Sequence, residues 1–363
     1  MSHRRLLHTA VGALLLGVLL GLPGLGGAAS RTIGPGDSLQ SAVSQLGPGD
    51  TLLLQTGTYP CSHCLDGMTG GTSSAPVTIA AAPGAHVTIQ FQGGGNGITF
   101  ARGDQSYITF EGIRFDASGA SDAGIKITCG GGGDYAHHIR FVNIELFGAG
   151  TQGILANAGQ CNASNQGHNE VMHSDIHHNG NDPQFDHGLY FASSDNVIQG
   201  NKIHDNSGCG VHIYASAGSA DRNLVENNRA YGHTGQCGVG ILMGSGDGNV
   251  AAHNVSYDNN GGLMIGNGGQ GNQATDNRLA GNHQWCVRDD NAGTVLQNNA
   301  CDGQVPPDTT RSGPDGTAPP PGGTPPPGDT PSGGIAALPA PRHLRLISQP
   351  SRAAQAPPQP ETR

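Results

Sequence analysis

Along the middle of the chain, apolar and polar residues alternate in short bursts, each led by a glycine. The bursts are Gly124-Ile125-Lys126-Ile127, Gly153-Ile154-Leu155-Ala156, Gly188-Leu189-Tyr190-Phe191, Gly210-Val211-His212-Ile213, Gly238-Val239-Gly240-Ile241 and Gly262-Leu263-Met264-Ile265. A period of two over so few residues predicts short β-strands, with the first and third residues after the glycine facing inward. Between the bursts, asparagine recurs in two columns five residues apart. The second column is Asn201, Asn228, Asn254, Asn277 and Asn299, with steps of 27, 26, 23 and 22 residues. The first is Asn169, Asn196, Asn223, Asn249 and Asn272. Repeats of this length predict a solenoid, because one coil buries too little apolar surface to stand alone and stacked coils share a core. Stacked asparagines at the turns satisfy backbone groups and one another, so both columns read as structural.

Upstream, Ser38-Leu39-Gln40-Ser41-Ala42-Val43 predicts a short amphipathic helix. It is followed by Pro48-Gly49-Asp50-Thr51-Leu52-Leu53-Leu54 and by Gly57-Thr58-Tyr59. On these residues, on Val87-Thr88-Ile89 and Ile108-Thr109-Phe110-Glu111-Gly112-Ile113, and on the asparagine coils, the chain resembles the pectate-lyase-like β-helix superfamily. The resemblance covers residues 31 to 303 or so. It implies an all-β, single-stranded right-handed parallel β-helix with a short N-terminal capping helix. It also directs attention to the outward face of the glycine-led strands, where superfamily members keep their substrate groove. Lyases, hydrolases, epimerases and non-catalytic proteins share this architecture, so it names no reaction.

Composition agrees with a turn-dense β chain: 61 of 363 residues are glycine and only 12% are charged. Residues 1–29 carry Arg4 and Arg5, an apolar run from Val11 to Leu20, and Gly27 and Ala29 ahead of Ser30, the pattern of a removable secretory signal. A secreted or periplasmic protein is therefore expected, with no stable membrane insertion after cleavage. Residues 304–363 include Pro319-Pro320-Pro321-Gly322-Gly323 and read as a disordered Pro/Gly-rich tail, leaving 30–303 as one β-helix domain, expected to be monomeric. Eight cysteines in an oxidising compartment read as disulfides. Cys209 and Cys237 precede successive strand glycines and are expected to pair; Cys129 with Cys161 and Cys286 with Cys301 are further pairings. Cys61-Ser62-His63-Cys64 reads as a local disulfide, a redox pair or half a metal site. A net charge of −10 and two lysines, Lys126 and Lys202, exclude a nucleic-acid partner.

The outward residues of the strands form one column: Lys126, Leu155, Tyr190, His212, Gly240, Met264 and Arg288. Tyr190 and His212 fall side by side at about 4.8 Å, with Lys126 two coils away at about 10 Å. These residue types suit proton abstraction beside a uronic-acid carboxylate: Lys126 as the neutralising cation, His212 as base and Tyr190 as acid. Tyr214 and Arg288 join them as substrate contacts. The longest step between strands carries Asn181-Asp182-Pro183-Gln184-Phe185-Asp186-His187, which brings His187 to the groove as a fourth catalytic candidate. This run loosely resembles the Asp-Pro-His-acid motif of alginate C5-epimerases, with Gln184 in the place of the histidine. Asp182 and Asp186 are candidates for a Ca²⁺ site or for turn capping. Twelve histidines lie between His137 and His283. The column His177, His204, Tyr231 and Tyr257 reads as a ring stack, and copper handling is the competing reading. The preferred function is a lyase or C5-epimerase acting on an acidic polysaccharide. A non-catalytic glycan-binding or surface solenoid and a periplasmic copper-handling protein are the alternatives.

Overall fold

The structure, a computed structural model, describes residues 28–130, 134–157, 167–216, 219–266, 269–306, 308, 313 and 314. Residues 1–27 of the expected signal, Cys161 and most of the 304–363 tail lie outside the described residues.

Three parallel sheets line the solenoid, one of eleven strands and two of eight, and neighbours in each sheet come from successive coils. The glycine-led sheet runs from Ile98–Phe100 through Ile125–Ile127, Ile154–Asn157, Leu189–Ala192, Val211–Ile213, Val239–Met243 and Gly261–Ile265 to Trp285–Asp289. Its inward residues, among them Ile125, Leu189, Phe191, Val211 and Ile213, have no exposed surface. The predicted helix forms over Leu39–Val43. Ser38 caps it by accepting the Ser41 N–H, and Leu39, Ala42 and Val43 are buried.

Both asparagine columns are hydrogen-bonded ladders with the predicted steps. Asn228 Oδ1 accepts the backbone N–H and the Nδ2–H of Asn201 (3.0 and 2.9 Å), and its own Nδ2 reaches Asn254 Oδ1 (3.0 Å). A third ladder stands five residues further on, through Asn179, Asn206, His233, Asn259 and Asn282. It explains the strand glycines. A Cβ at Gly188 would lie 2.7 Å from Asn206 Nδ2, and one at Gly240 would lie 2.8 Å from Asn259 Nδ2. Gly240, not Gly238, therefore leads its strand. Val211 pairs with Ile241 and His212 with Leu242, so the outward residue of that coil is Leu242, which corrects the expectation of Gly240. The two extra residues shift this register, and Gly238, immediately ahead of the strand, is left-handed (φ +47°).

The residue before each ladder rung takes positive φ: His168, Asp195 and Arg222 in the first column, His173, Asn227 and His253 in the second, His178, Asp205 and Asp258 in the third. Asn, Asp and His are the non-glycine residues that tolerate this conformation best. Much of the chain's histidine is thus turn chemistry. Cys209–Cys237, Cys286–Cys301 and Cys61–Cys64 are disulfides with Cα separations of 5.3, 5.5 and 5.1 Å.

His233 replaces asparagine in the third ladder and is fully buried. Its Nδ1–H donates to Asn259 Oδ1 (2.9 Å) and its Nε2 accepts from Asn206 Nδ2 (3.3 Å), which requires a neutral ring. Burial pushes its pKa down to about 4. Between pH 6.5 and 4 the unfolded chain takes up a proton that the folded one rejects, so stability is lost as pH falls through that window. The loss attributable to His233 is about 3 kcal/mol. His233→Asn is expected to leave the urea midpoint at pH 7 nearly unchanged and to recover most of that loss at pH 4. A mutant midpoint that falls between pH 7 and 4 as far as wild type would contradict this account.

Candidate active-site groove

The strand register sets one outward column on the glycine-led sheet: Thr99, Lys126, Leu155, Tyr190, His212, Leu242, Met264 and Arg288. Tyr190 and His212 are direct neighbours, as expected. Their rings stack at 5.0 Å between centroids, and the Tyr214 ring stacks on His212 at 5.5 Å. Lys126 lies two strands from Tyr190, about 10 Å away by strand spacing. It has no ion-pair partner among the described residues. Arg288 lies three strands from His212, and its guanidinium pairs with Asp290. The structure therefore gathers Tyr190, His212, His187 and Tyr214, and leaves Lys126 and Arg288 apart from them, on opposite sides along the row.

His187 arrives from the 181–187 loop immediately ahead of its strand. Its ring meets His212 edge-on at 4.6 Å and Tyr190 edge-on at 5.5 Å. Asp186 Oδ2 accepts the N–H groups of Asn181 and Asp182 (2.9 and 2.7 Å), and Asp182 Oδ1 accepts those of Gln184 and Phe185 (2.8 and 3.2 Å). One oxygen of each carboxylate thus holds the loop's own backbone, as turn capping requires. Cys237 N–H binds Pro183 O (2.8 Å), and Gln152 Nε2 binds Phe185 O (2.9 Å), tying the loop to the flanking coils. The loop needs glycine below it: a Cβ at Gly208 would lie 2.7 Å from His187 Nδ1.

The hydrogen bonds determine where the protons sit. The Cys209 backbone N–H, which can only donate, lies 3.0 Å from His187 Nδ1. The proton of neutral His187 is then on Nε2, and Nε2 lies 3.0 Å from His212 Nδ1. His212 Nδ1 must accept, so neutral His212 carries its own proton on Nε2. Burial lowers the His187 pKa to about 4; burial, and then the adjacent His187, lower that of His212 to about 3. Burial, and then Tyr214, hold the Tyr190 phenol above its usual value. Near neutral pH the cluster therefore presents two neutral donors, the His212 Nε2–H and the Tyr190 hydroxyl.

A second cluster lies on a different sheet. Phe147, His177, His204, Tyr231 and Tyr257 stack at centroid spacings of 4.8–5.5 Å, the predicted ring column extended by Phe147. Ligand atoms of Asp175, His177 and His204 come within 4.8 Å of one another, an arrangement that can hold a transition-metal ion. His177 faces Glu145 at 3.2 Å. His204 bonds to Asp205 at 2.7 Å and faces Asp175 at 3.0 Å, the latter as an ion pair rather than an aligned hydrogen bond. Burial opposes the charge on His204, yet these two carboxylates raise its pKa. An imidazole between two acids is an alternative account of this cluster.

Residues 79–241 match the family model described as the right handed beta helix region. The chain is a right-handed parallel β-helix. Solved structures similar to this β-helix include pectate lyase Pel9A, at 16% identity and TM-score 0.50, covering 77% of this chain and 80% of that one. The A-module of the Azotobacter vinelandii mannuronan C-5 epimerase AlgE4 gives 16% and 0.50, over 69% and 68% of the two chains. A rhamnogalacturonan lyase gives 13% and 0.52, over 76% and 88%. No curated protein matches this β-helix by sequence. At these identities the likeness is one of fold.

Sequence reasoning missed the third ladder, although a third Asn-rich position follows the second at the same five-residue interval. It also missed Thr99 and Leu242 of the outward row. The pairing of the lead glycine with the third ladder was the signal that would have placed Leu242.

Proposed function

We propose that this β-helix is an exported, carbohydrate-active protein that binds an acidic, uronate-containing polysaccharide across the Tyr190–His212 face and cleaves it by β-elimination. The observation that carries the reading is the hydrogen-bond chain from the Cys209 N–H through His187 to His212, which leaves Nε2–H as the donor on an imidazole stacked against a phenol. Similar folds include lyases and an epimerase of polysaccharides. Disulfides among the described residues support export, and no described helix is long and apolar enough to cross a membrane.

Elimination removes the proton beside the carboxylate of the uronate. Its electron pair forms the new double bond, and the glycosidic oxygen leaves with a proton. Charge developing on the carboxylate must be met by donors already in place. His212 Nε2–H supplies one, and Lys126, two strands further along, adds positive charge to that part of the groove. Because His212 Nε2 already holds a proton, the base role passes from His212 to Tyr190. As phenolate, Tyr190 takes the substrate proton; as phenol, it returns that proton to the leaving oxygen on the same face. Epimerisation instead needs a second donor on the opposite face of the ring, a role for which Asp182 and Asp186, bonded to their own loop's backbone, are not favoured. Asp182 and Asp186 are accordingly assigned to holding the loop rather than to Ca²⁺.

Incubation of the mature chain with alginate, pectate and glycosaminoglycans, followed by unsaturated-uronide absorbance, tests the proposal. Absence of signal on all of them removes elimination, and NMR of the recovered polymers reads epimerisation. With Tyr190 as base and its pKa raised, activity is expected to climb steadily into the alkaline range. A His212 base would instead give an inflection on the acid side and a plateau at neutral pH. Tyr214 (37% exposed) and Phe185 (62% exposed) favour a second reading, a non-catalytic glycan-binding solenoid. That reading is selected if glycans bind, no product forms and His212→Ala leaves binding intact.

A further inference from the structure

Past His212 the outward row continues to Leu242, Met264 and Arg288, and there a pocket of about 300 Å³ opens. Trp285, the single tryptophan of the chain, lines it together with Leu242 and Met264. Trp285 pairs across the sheet with Gly261, and a Cβ at Gly261 would come within 2.2 Å of the indole. Any larger residue at 261 would displace the ring. The exposed amides of Gln236 and Gln284 stand at the rim. Arg288 is also there, but its Nε and Nη2 meet the two carboxylate oxygens of Asp290 at 3.0 and 2.8 Å. Its charge is already answered. The groove is therefore electrically polarised, with Lys126, which has no ion-pair partner among the described residues, on one side and an indole, a thioether, neutral amides and a compensated arginine on the other.

We infer that the Trp285 pocket is a subsite for an uncharged sugar ring, two residues along the glycan from the uronate at Tyr190 and His212. This rests on the groove reading above and narrows its substrate class to a mixed polymer in which neutral sugars follow a uronate. Met264 lies two strand spacings from His212, about 10 Å. An extended glycan advances by close to one such spacing per sugar, so consecutive rings fall in register with consecutive strands. The C–H face of a pyranose packs on the indole, and ring hydroxyls meet Gln236 and Gln284. A carboxylate placed here would lose water and gain no free cation.

Because Trp285 is the only tryptophan, intrinsic fluorescence of the full chain reports on this pocket directly. Neutral xylo-, manno- and gluco-oligosaccharides, and oligomers mixing neutral sugars with uronate, are expected to shift the emission saturably. Oligogalacturonate and oligomannuronate are expected to leave it unchanged. Calorimetry of Trp285→Ala and Gln284→Ala should show at least a tenfold weaker affinity for the mixed oligomers. No emission change with any neutral or mixed oligomer overturns the subsite, and an equal response to the homo-uronates overturns its preference for uncharged rings. Uronide release without a Trp285 response sinks the subsite alone. A saturable Trp285 response without uronide release from any polymer sinks the elimination reading and retains the subsite.

Discussion

Tyr190→Phe is expected to lower the rate of uronide release at least about a hundredfold while leaving the affinity for polymer nearly unchanged. The substitution keeps the ring, and with it the stack on His212 at 5.0 Å and the edge contact to His187, so the face retains its shape. It removes the one group there that can take a proton and return it. His212→Phe should also slow release, but with a different signature. It keeps a ring for Tyr190 and Tyr214 each to stack on and deletes the Nε2–H, so the alkaline rise assigned to Tyr190 should persist at a lower level. Initial rates against pH for both variants separate the roles. Undiminished release by Tyr190→Phe would return the base to some other residue and undo the assignment.

That assignment was out of reach of the sequence. Adjacency of Tyr190 and His212 followed from periodicity alone, because equivalent positions of successive coils stack and any error in register moves a whole column. The direction of the protons depended on the Cys209 backbone N–H meeting His187, a side chain delivered by the fold of the 35-residue step between strand glycines Gly153 and Gly188. Side-chain types suggested His212 as base. The hydrogen-bond chain forbids it, because one obligate donor at its head leaves every neutral imidazole downstream with a single permitted tautomer.

The architecture itself was largely legible, and the reason is physical. Asn ladders and glycine-led strands impose the same constraint on every coil, so the signal is repeated rather than local. Where a coil departs from the pattern, legibility fails. The loop ending at Gly238 inserts two residues, and the strand that looked like Gly238–Ile241 is shifted so that Gly240 meets Asn259. The disulfide expectation survived the slip because Cys237 lies in the loop, which closes back onto Pro183 and brings the cysteine to Cys209. His233 hid the third ladder in the same manner: an imidazole performs the amide's double role, accepting at one edge and donating at the other.

Asn228→Ala is expected to destabilise the chain by about 5 kcal/mol, at the upper end of single substitutions. The side chain makes four hydrogen bonds, and it sits without exposed surface in the middle of the second ladder. Deletion strands the backbone N–H and one amide hydrogen of Asn201, and with them the Ile198 carbonyl of the same preceding coil. Each buried orphan costs about 1–3 kcal/mol. Asn254 Oδ1 fares better, since the backbone N–H of residue 228 still donates to it at 2.9 Å. Asn299, in the last rung, provides the contrast. It accepts from Asn277 below but is half-buried, so water replaces much of what Asn299→Ala removes, and about 1 kcal/mol is expected. Urea unfolding of the two variants measures the difference. Equal losses would mean that the ladder's strength does not come from burying its amides, and that the stack is held by its apolar columns alone.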